Sequence, residues 1–205
     1  MKKTLLLAML LVGIGQGYAQ KKVQPGVRGG LNVSGITNAE GDRKADFYLG
    51  FQLPIHLGKR YTLQPELEYS RQGGKDITLK YNNDWWWGTG NTEYVNYKGN
   101  VDLSYIEMKV MNKFHFDKLN LQAGPGLGFV ADGKKYTDNE VDLTLNIGIG
   151  YQITDKLGVE ARYKQGLISI VDNYWTWNDD YNHNNRYDRD LQFNSVFQVG
   201  LTYTF

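Results

Sequence analysis

Apolar and polar side chains alternate with a period of two through most of the chain, most clearly from Leu191 to Phe205. There Phe193, Phe197, Val199, Leu201, Tyr203 and Phe205 share one face, and Gln192, Asn194, Gln198, Thr202 and Thr204 share the other. A strand that is oily on one side and polar on the other separates lipid from a polar interior. Segments of this kind recur at Val27–Ser34, Phe47–Leu57, Tyr61–Ser70, Val101–Phe114, Leu119–Val130, Val141–Ile153 and Leu157–Ile170. With the C-terminal run they predict an all-β fold, an eight-stranded antiparallel up-and-down transmembrane β-barrel.

The lipid face of each strand follows from its charges. Phe47, Leu49, Phe51, Leu53, Ile55 and Leu57 point outward while Gln52, Pro54 and His56 point inward, and the third strand sends Gln64, Glu66 and Glu68 inward. In the fourth, Val101, Leu103 and Tyr105 hold one phase and Ile106, Met108 and Val110 the other. The second phase is taken as lipid-facing, because it keeps Glu107, Lys109 and Lys113 out of hydrocarbon, where each charge costs about 2 to 4 kcal/mol; a bulge near Tyr105 reconciles the two. The fifth strand places Gln122, Gly124, Gly126 and Gly128 inside, and the seventh Glu160, Arg162 and Lys164.

Connection lengths alternate. Gly58–Arg60, His115–Lys118 and Thr154–Lys156 are tight turns of the periplasmic kind, which also puts both termini in the periplasm. Gly35–Asp46, Gln72–Asn100, Ala131–Glu140 and Val171–Asp190 are then the surface loops.

Composition fits a barrel. Hydrophobic residues are only 41%, as expected when every second residue faces lipid, and Tyr (15) and Gly (24) are abundant. A net charge of +1 argues against a nucleic-acid partner, and the absence of cysteine excludes a lipid anchor, disulfides and thiolate chemistry. Met1-Lys2-Lys3, the apolar Leu5–Ile14 and the small residues of Gly17-Tyr18-Ala19 read as a signal peptide, residues 1–19, cleaved before Gln20. Residues 20–205 form one barrel domain, exported to the outer membrane of a Gram-negative bacterium. Its expected surroundings are outer-membrane lipid and lipopolysaccharide, with the barrel assembly machinery reading Tyr203 and Phe205 as an insertion signal.

Motifs along the mature chain resemble the PorT-like outer-membrane β-barrel proteins. They are Gly29-Gly-Leu-Asn-Val-Ser34, Leu63-Gln-Pro-Glu-Leu-Glu-Tyr-Ser-Arg-Gln-Gly73, Ser104-Tyr-Ile-Glu107, Ala123-Gly-Pro-Gly-Leu-Gly-Phe129, Val159-Glu-Ala-Arg-Tyr163 and Val196–Phe205. Gln64-Pro-Glu-Leu followed by Tyr-Ser is the most specific. Where the family usually has proline, two residues after the Tyr-Ile-Glu glutamate, this chain has Lys109. The resemblance implies the fold and location, and through the founding member a role as an accessory of transport or protein secretion.

Inside the barrel, Arg28, Lys109, Lys113, Arg162 and Lys164 face Glu66, Glu68, Glu107, Asp142 and Glu160, so the lumen is expected to be a salt-bridged plug rather than a proton or solute path. The Glu66/Glu68 pair has the same-face spacing of an acid/base couple, but neighbouring cations explain both. In the fourth loop His183 lacks a positioned nucleophile. Asp180, Asn182 and Asn184 start an EF-hand-like pattern that fails at Asn185 and Leu191. No enzyme, cofactor or metal site is expected.

All five tryptophans fall in the long loops: Trp85, Trp86 and Trp87 in the second, Trp175 and Trp177, with Tyr181 nearby, in the fourth. Such side chains suit either recognition of a surface glycan or protein, or an interfacial girdle or lid over the barrel. The functional expectation is a non-enzymatic barrel whose aromatic loops bind an extracellular ligand or partner.

Overall fold

The computed structural model describes residues 23–205 apart from 38, 83–93, 134–136, 138 and 171–191; for Glu40, 78–82 and 94–98 it describes the backbone alone. The strands are β1 (Gly26–Thr37), β2 (Glu40–Gln52), β3 (Ile55–His56), β4 (Tyr61–Asn82), β5 (Tyr94–Phe116), β6 (Leu119–Asp132), β7 (Val141–Gln152), β8 (Leu157–Gly166) and β9 (Phe193–Thr204). Apart from β2 and β3, which both pair with β4, each strand pairs antiparallel with its sequence neighbours; β1 also pairs with β9, so the sheet closes on itself. β3 continues β2 beyond Leu53-Pro54, where proline has no N–H for the ladder, so the barrel has eight strands with the second interrupted. Leu53 keeps the register by donating its N–H to Pro65 O at 2.9 Å.

Alternation around the wall follows the sequence. Along β7, Val141, Leu143, Leu145, Ile147 and Ile149 are exposed on the outside while Asp142, Thr144 and Asn146 are buried inside. Closure removes every edge strand in this span, so the ladders supply backbone partners where lipid offers none.

β5 departs from the expected bulge near Tyr105. It holds one phase from Val101 to Lys113, so Val101, Leu103 and Tyr105 point inward together with Glu107 and Lys109. The extra residue sits on the neighbouring strand, at Ala131, between the pairs Tyr105–Val130 and Ser104–Asp132.

Three of the expected loops are shorter than their sequence suggested. β1 and β2 run to Thr37 and from Glu40, β6 reaches Asp132, and β4 and β5 stay paired out to Asn82 and Tyr94. The β4–β5 ribbon lacks strict alternation because it needs no lipid-facing side; backbone pairing alone carries it outward. β4 bends where it leaves the wall, with an extra residue between Gly74 and Ile77 and Asp76 at φ 50°. The seventh expected strand, Leu157–Ile170, ends as β8 at Gly166.

Gly26 of β1 pairs with Thr204 of β9, so the first and last strands begin and end at one rim, together with the tight turns after β3, β5 and β7. Asp117 turns the β5–β6 hairpin in the left-handed region (φ 56°), which aspartate tolerates better than most residues.

Candidate functional site

The lumen is organised in three layers. At the rim away from the termini, Ile36, Ile77, Val101, Leu103, Tyr105, Val130 and Ile170 form a small apolar cluster. In the middle lie charged side chains from β1, β4, β5 and β8, and at the terminal rim a polar vestibule opens.

Strand alternation brings the charges together, since positions two apart on one strand face the same way. Arg28 reaches three carboxylates: Glu66 at 2.5 Å, Glu68 at 2.9 Å and Glu160 at 2.5 Å. Arg162 grips Glu66 with both terminal nitrogens, at 2.7 and 2.8 Å, and also holds Glu160 at 2.9 Å. Lys109 bridges Glu68 at 2.7 Å and Glu107 at 3.4 Å, and Lys164 pairs with Glu107. Amides extend the network: Gln198 Nε2 donates to Glu68 at 2.9 Å and Gln72 Nε2 to Glu107 at 2.9 Å. The Arg28 guanidinium also lies over the Tyr48 ring, 4.9 Å from its centroid.

These side chains are among the most buried in the molecule; Arg28, Arg162 and Lys164 are each 1% exposed. Burying so many charges is tolerable only because the signs match and the geometry is close. Lys109, in the place of the proline that the resemblance led one to expect, supplies one of the cations. Both carboxylates of the Glu66/Glu68 pair are held by cations: Glu66 by Arg28 and Arg162, with a further hydrogen bond from Gln64 at 2.7 Å, and Glu68 by Arg28 and Lys109.

Trp85, Trp86, Trp87, Trp175, Trp177, Tyr181, Asp180 and His183 lie outside the described residues. Tyr203 and Phe205 face outward at the terminal rim, their rings edge to face with centroids 5.9 Å apart. Among the described residues no group of three or more His, Cys, Asp or Glu side chains is placed to hold a metal ion.

Sequence reasoning passed over two features. The apolar layer was signalled by the inward phase of Val101, Leu103 and Tyr105, but their hydrophobicity made them look like lipid-facing candidates. The vestibule comes from glutamine and asparagine on four strands, and its signal was an amide-rich inner face near the terminal rim.

The sequence matches the family described as outer membrane protein beta-barrel domain over residues 4–205. The chain belongs to that family. As an outer-membrane barrel it presents Leu49, Phe51, Ile147, Ile149, Val199 and Leu201 to lipid rather than to water. No helix among its described residues is long and apolar enough to cross a membrane; strands do the crossing. Solved structures similar to it include Ail, the attachment invasion locus protein of Yersinia pestis, in complex with the heparin analogue sucrose octasulfate (12% identity, TM-score 0.47, covering 90% of this chain and 99% of that one). Neisserial surface protein A is similar at 11% identity and TM-score 0.48, covering 89% and 97%, and OprG from Pseudomonas aeruginosa at 10% and 0.40, covering 90% and 97%. No curated protein matches the sequence.

Proposed function

We propose that this protein is a non-enzymatic, non-conducting barrel of a Gram-negative outer membrane, of the PorT-like kind, whose loops at the rim away from the termini bind an extracellular ligand or partner. The observation that carries this reading is the filled lumen. An ion-paired layer backed by an apolar layer leaves no continuous polar path, and a solute would have to displace several charge-assisted hydrogen bonds at once. Work is therefore left to the ends of the barrel.

The tight turns and both strand termini occupy one rim, which fits the periplasmic side, with the long connections outside the cell. Residues 1–19 act as the cleaved export signal, and Tyr203 and Phe205 as the insertion signal. The loop tryptophans supply flat apolar surface with a hydrogen-bond donor, the chemistry of glycan and protein recognition.

Two measurements test this together. In planar bilayers the purified barrel is expected to show no steps of conductance. On intact cells, a photoreactive group at Trp86 is expected to capture one recurring glycan or protein, and replacement of all five tryptophans by alanine to abolish capture while the barrel stays folded. Open-channel currents, or capture indifferent to the tryptophans, would overturn the reading.

A further inference from the structure

On the outer wall the apolar belt comes to an end between β8 and β2. Outward side chains climbing β9 run Tyr203, Leu201, Val199 and Phe197, then Ser195. On β1, Leu31 and Val33 are followed by Gly35 and Thr37, and on β2, Phe47 and Ala45 by Arg43. Ten positions separate Ser195 from Phe205 at the terminal rim. At about 3.3 Å per residue and a strand tilt of about 40°, that is a rise of about 25 Å, the height of the apolar band of an outer-membrane barrel. The end of the belt therefore lies at the level of lipid headgroups.

There the wall is hollowed into an open trough of about 290 Å³. Register sets Gln165 beside Ser195 and Ser195 beside Gly35, and the Arg43 side chain packs over Gly35, so one cross-strand row reads Gln165, Ser195, Gly35, Arg43. Its two middle positions carry almost no side chain, which sinks the floor between Gln165 with Tyr163 on one side and Arg43 with Asp42 on the other. Arg43 leans over that floor: a Cβ on Gly35 would stand 3.2 Å from its Cγ and 4.0 Å from its Nε. It is exposed, and it makes no hydrogen bond or ion pair with any described residue. Its basic neighbours are engaged. Arg71 pairs with Asp46 at 3.5 Å and lies over the Phe47 ring at 5.9 Å, and Lys44 pairs with Asp46 at 2.9 Å and with Asp102.

We infer that this trough seats the phosphorylated sugar headgroup of an outer-leaflet lipopolysaccharide, with its phosphate on Arg43 and its acyl chains on the apolar belt below. Lipid already covers this face, so the occupant is a molecule continuous with it. A guanidinium at headgroup height with no acid partner is complementary to a phosphate, which it grips through two parallel N–H bonds. The trough is small beside sites that enclose a whole ligand, so it takes a head and leaves the chains outside. Asp42 and Gln165 offer acceptors to the hydroxyl and amide groups of a sugar ring, contacts that a plain glycerol phosphodiester lacks. The inference rests on the reading above that the rim away from the termini is the extracellular one.

The test is a titration of the refolded protein in uncharged maltoside micelles with purified lipid A, the lipid counted on the protein by native mass spectrometry. Micelles have no sidedness, so this arm reads the site whatever the orientation of the barrel. Saturable binding is expected, and Arg43→Gln should weaken it about tenfold or more, the loss of one charge-assisted interaction. Arg71→Gln removes the same charge from the same rim and should change binding less than about threefold, since that arginine is already paired. Dephosphorylated lipid A and phosphatidylglycerol should each bind the unaltered protein about tenfold more weakly or worse. Equal binding of either lipid, or a loss no greater for Arg43→Gln than for Arg71→Gln, would overturn the inference and leave a merely solvated arginine. Orientation is read separately on intact cells with a membrane-impermeant maleimide, using Lys75→Cys and Asp155→Cys in a chain that has no other cysteine. Labelling at 75 alone is expected; labelling at 155 alone would overturn the extracellular reading, and the lipopolysaccharide occupant with it, even where the micelle arm succeeds.

Discussion

Arg28→Met probes the reasoning about the lumen most directly. Arg28 touches Glu66, Glu68 and Glu160 at 2.5, 2.9 and 2.5 Å from a site that is 1% exposed, so solvent cannot screen what its removal leaves behind. Without it, Glu66, Glu68, Glu107, Asp142 and Glu160 face only Lys109, Lys113, Arg162 and Lys164. Breaking a buried pair from one side costs on the order of 3 to 5 kcal/mol. With a urea dependence of roughly 2 kcal/mol per molar, the unfolding midpoint should fall by about 2 M. The double variant Arg28→Met/Glu66→Gln restores the balance of signs, with Arg162 still bound to Glu160 at 2.9 Å. It should therefore be more stable than Arg28→Met alone, by about 2 kcal/mol. The assay is equilibrium unfolding in phospholipid vesicles, scored by the electrophoretic shift between folded and unfolded barrel. A midpoint change under roughly 0.5 M for the single variant, or a double variant weaker than the single, would refute the view that uncompensated charge governs this layer.

Other outcomes follow from the same geometry. Leu145→Arg, on the lipid face of β7, should cost about 2 to 4 kcal/mol in the same assay, whereas Asp155→Arg in an exposed turn should stay within about 0.5 kcal/mol. Gly200→Ala should destabilise by about 2 kcal/mol or more, because its Cβ would stand 2.2 Å from the Tyr48 hydroxyl and 2.4 Å from Gly29 O. Adding Tyr48→Phe removes the first clash only, so recovery in unfolding experiments should be partial. Leu103→Ala should cost about 2 to 5 kcal/mol by opening a cavity in the apolar layer, yet planar bilayers should remain silent because the ion-paired layer still blocks the lumen.

The barrel was legible because lipid and lumen impose opposite demands on successive residues, and β7 and β9 obey them almost without exception. Strand four was harder to read. Hydrophobicity usually marks the lipid side, and Val101, Leu103 and Tyr105 are apolar residues that pack inside, against Ile36 and Ile170 from distant parts of the chain. Which strand carried the bulge was not written in β5 at all, since the extra residue belongs to β6. The lumenal charges could be placed on the inner face from alternation. Their partners could not, because pairing across the lumen depends on strand tilt and register: Arg162 meets Glu66, a residue 96 positions away. The vestibule was least visible, because its amides come from separate strands that meet only in the closed barrel.

The order in which the charges arrive along the chain bears on assembly. Arg28 lies on the first strand, Glu66 and Glu68 on β4, and Glu160 and Arg162 only on β8, the last strand but one. A partly zipped sheet therefore carries unmatched charges on the surface that is to become its interior, and stays poorly suited to hydrocarbon until the late strands dock. Neutralisation and closure of the β1–β9 seam coincide. The network thus acts as a checkpoint on completeness: a truncated or misregistered sheet keeps an electrostatic penalty that only the full circle removes, which favours insertion in a single cooperative event.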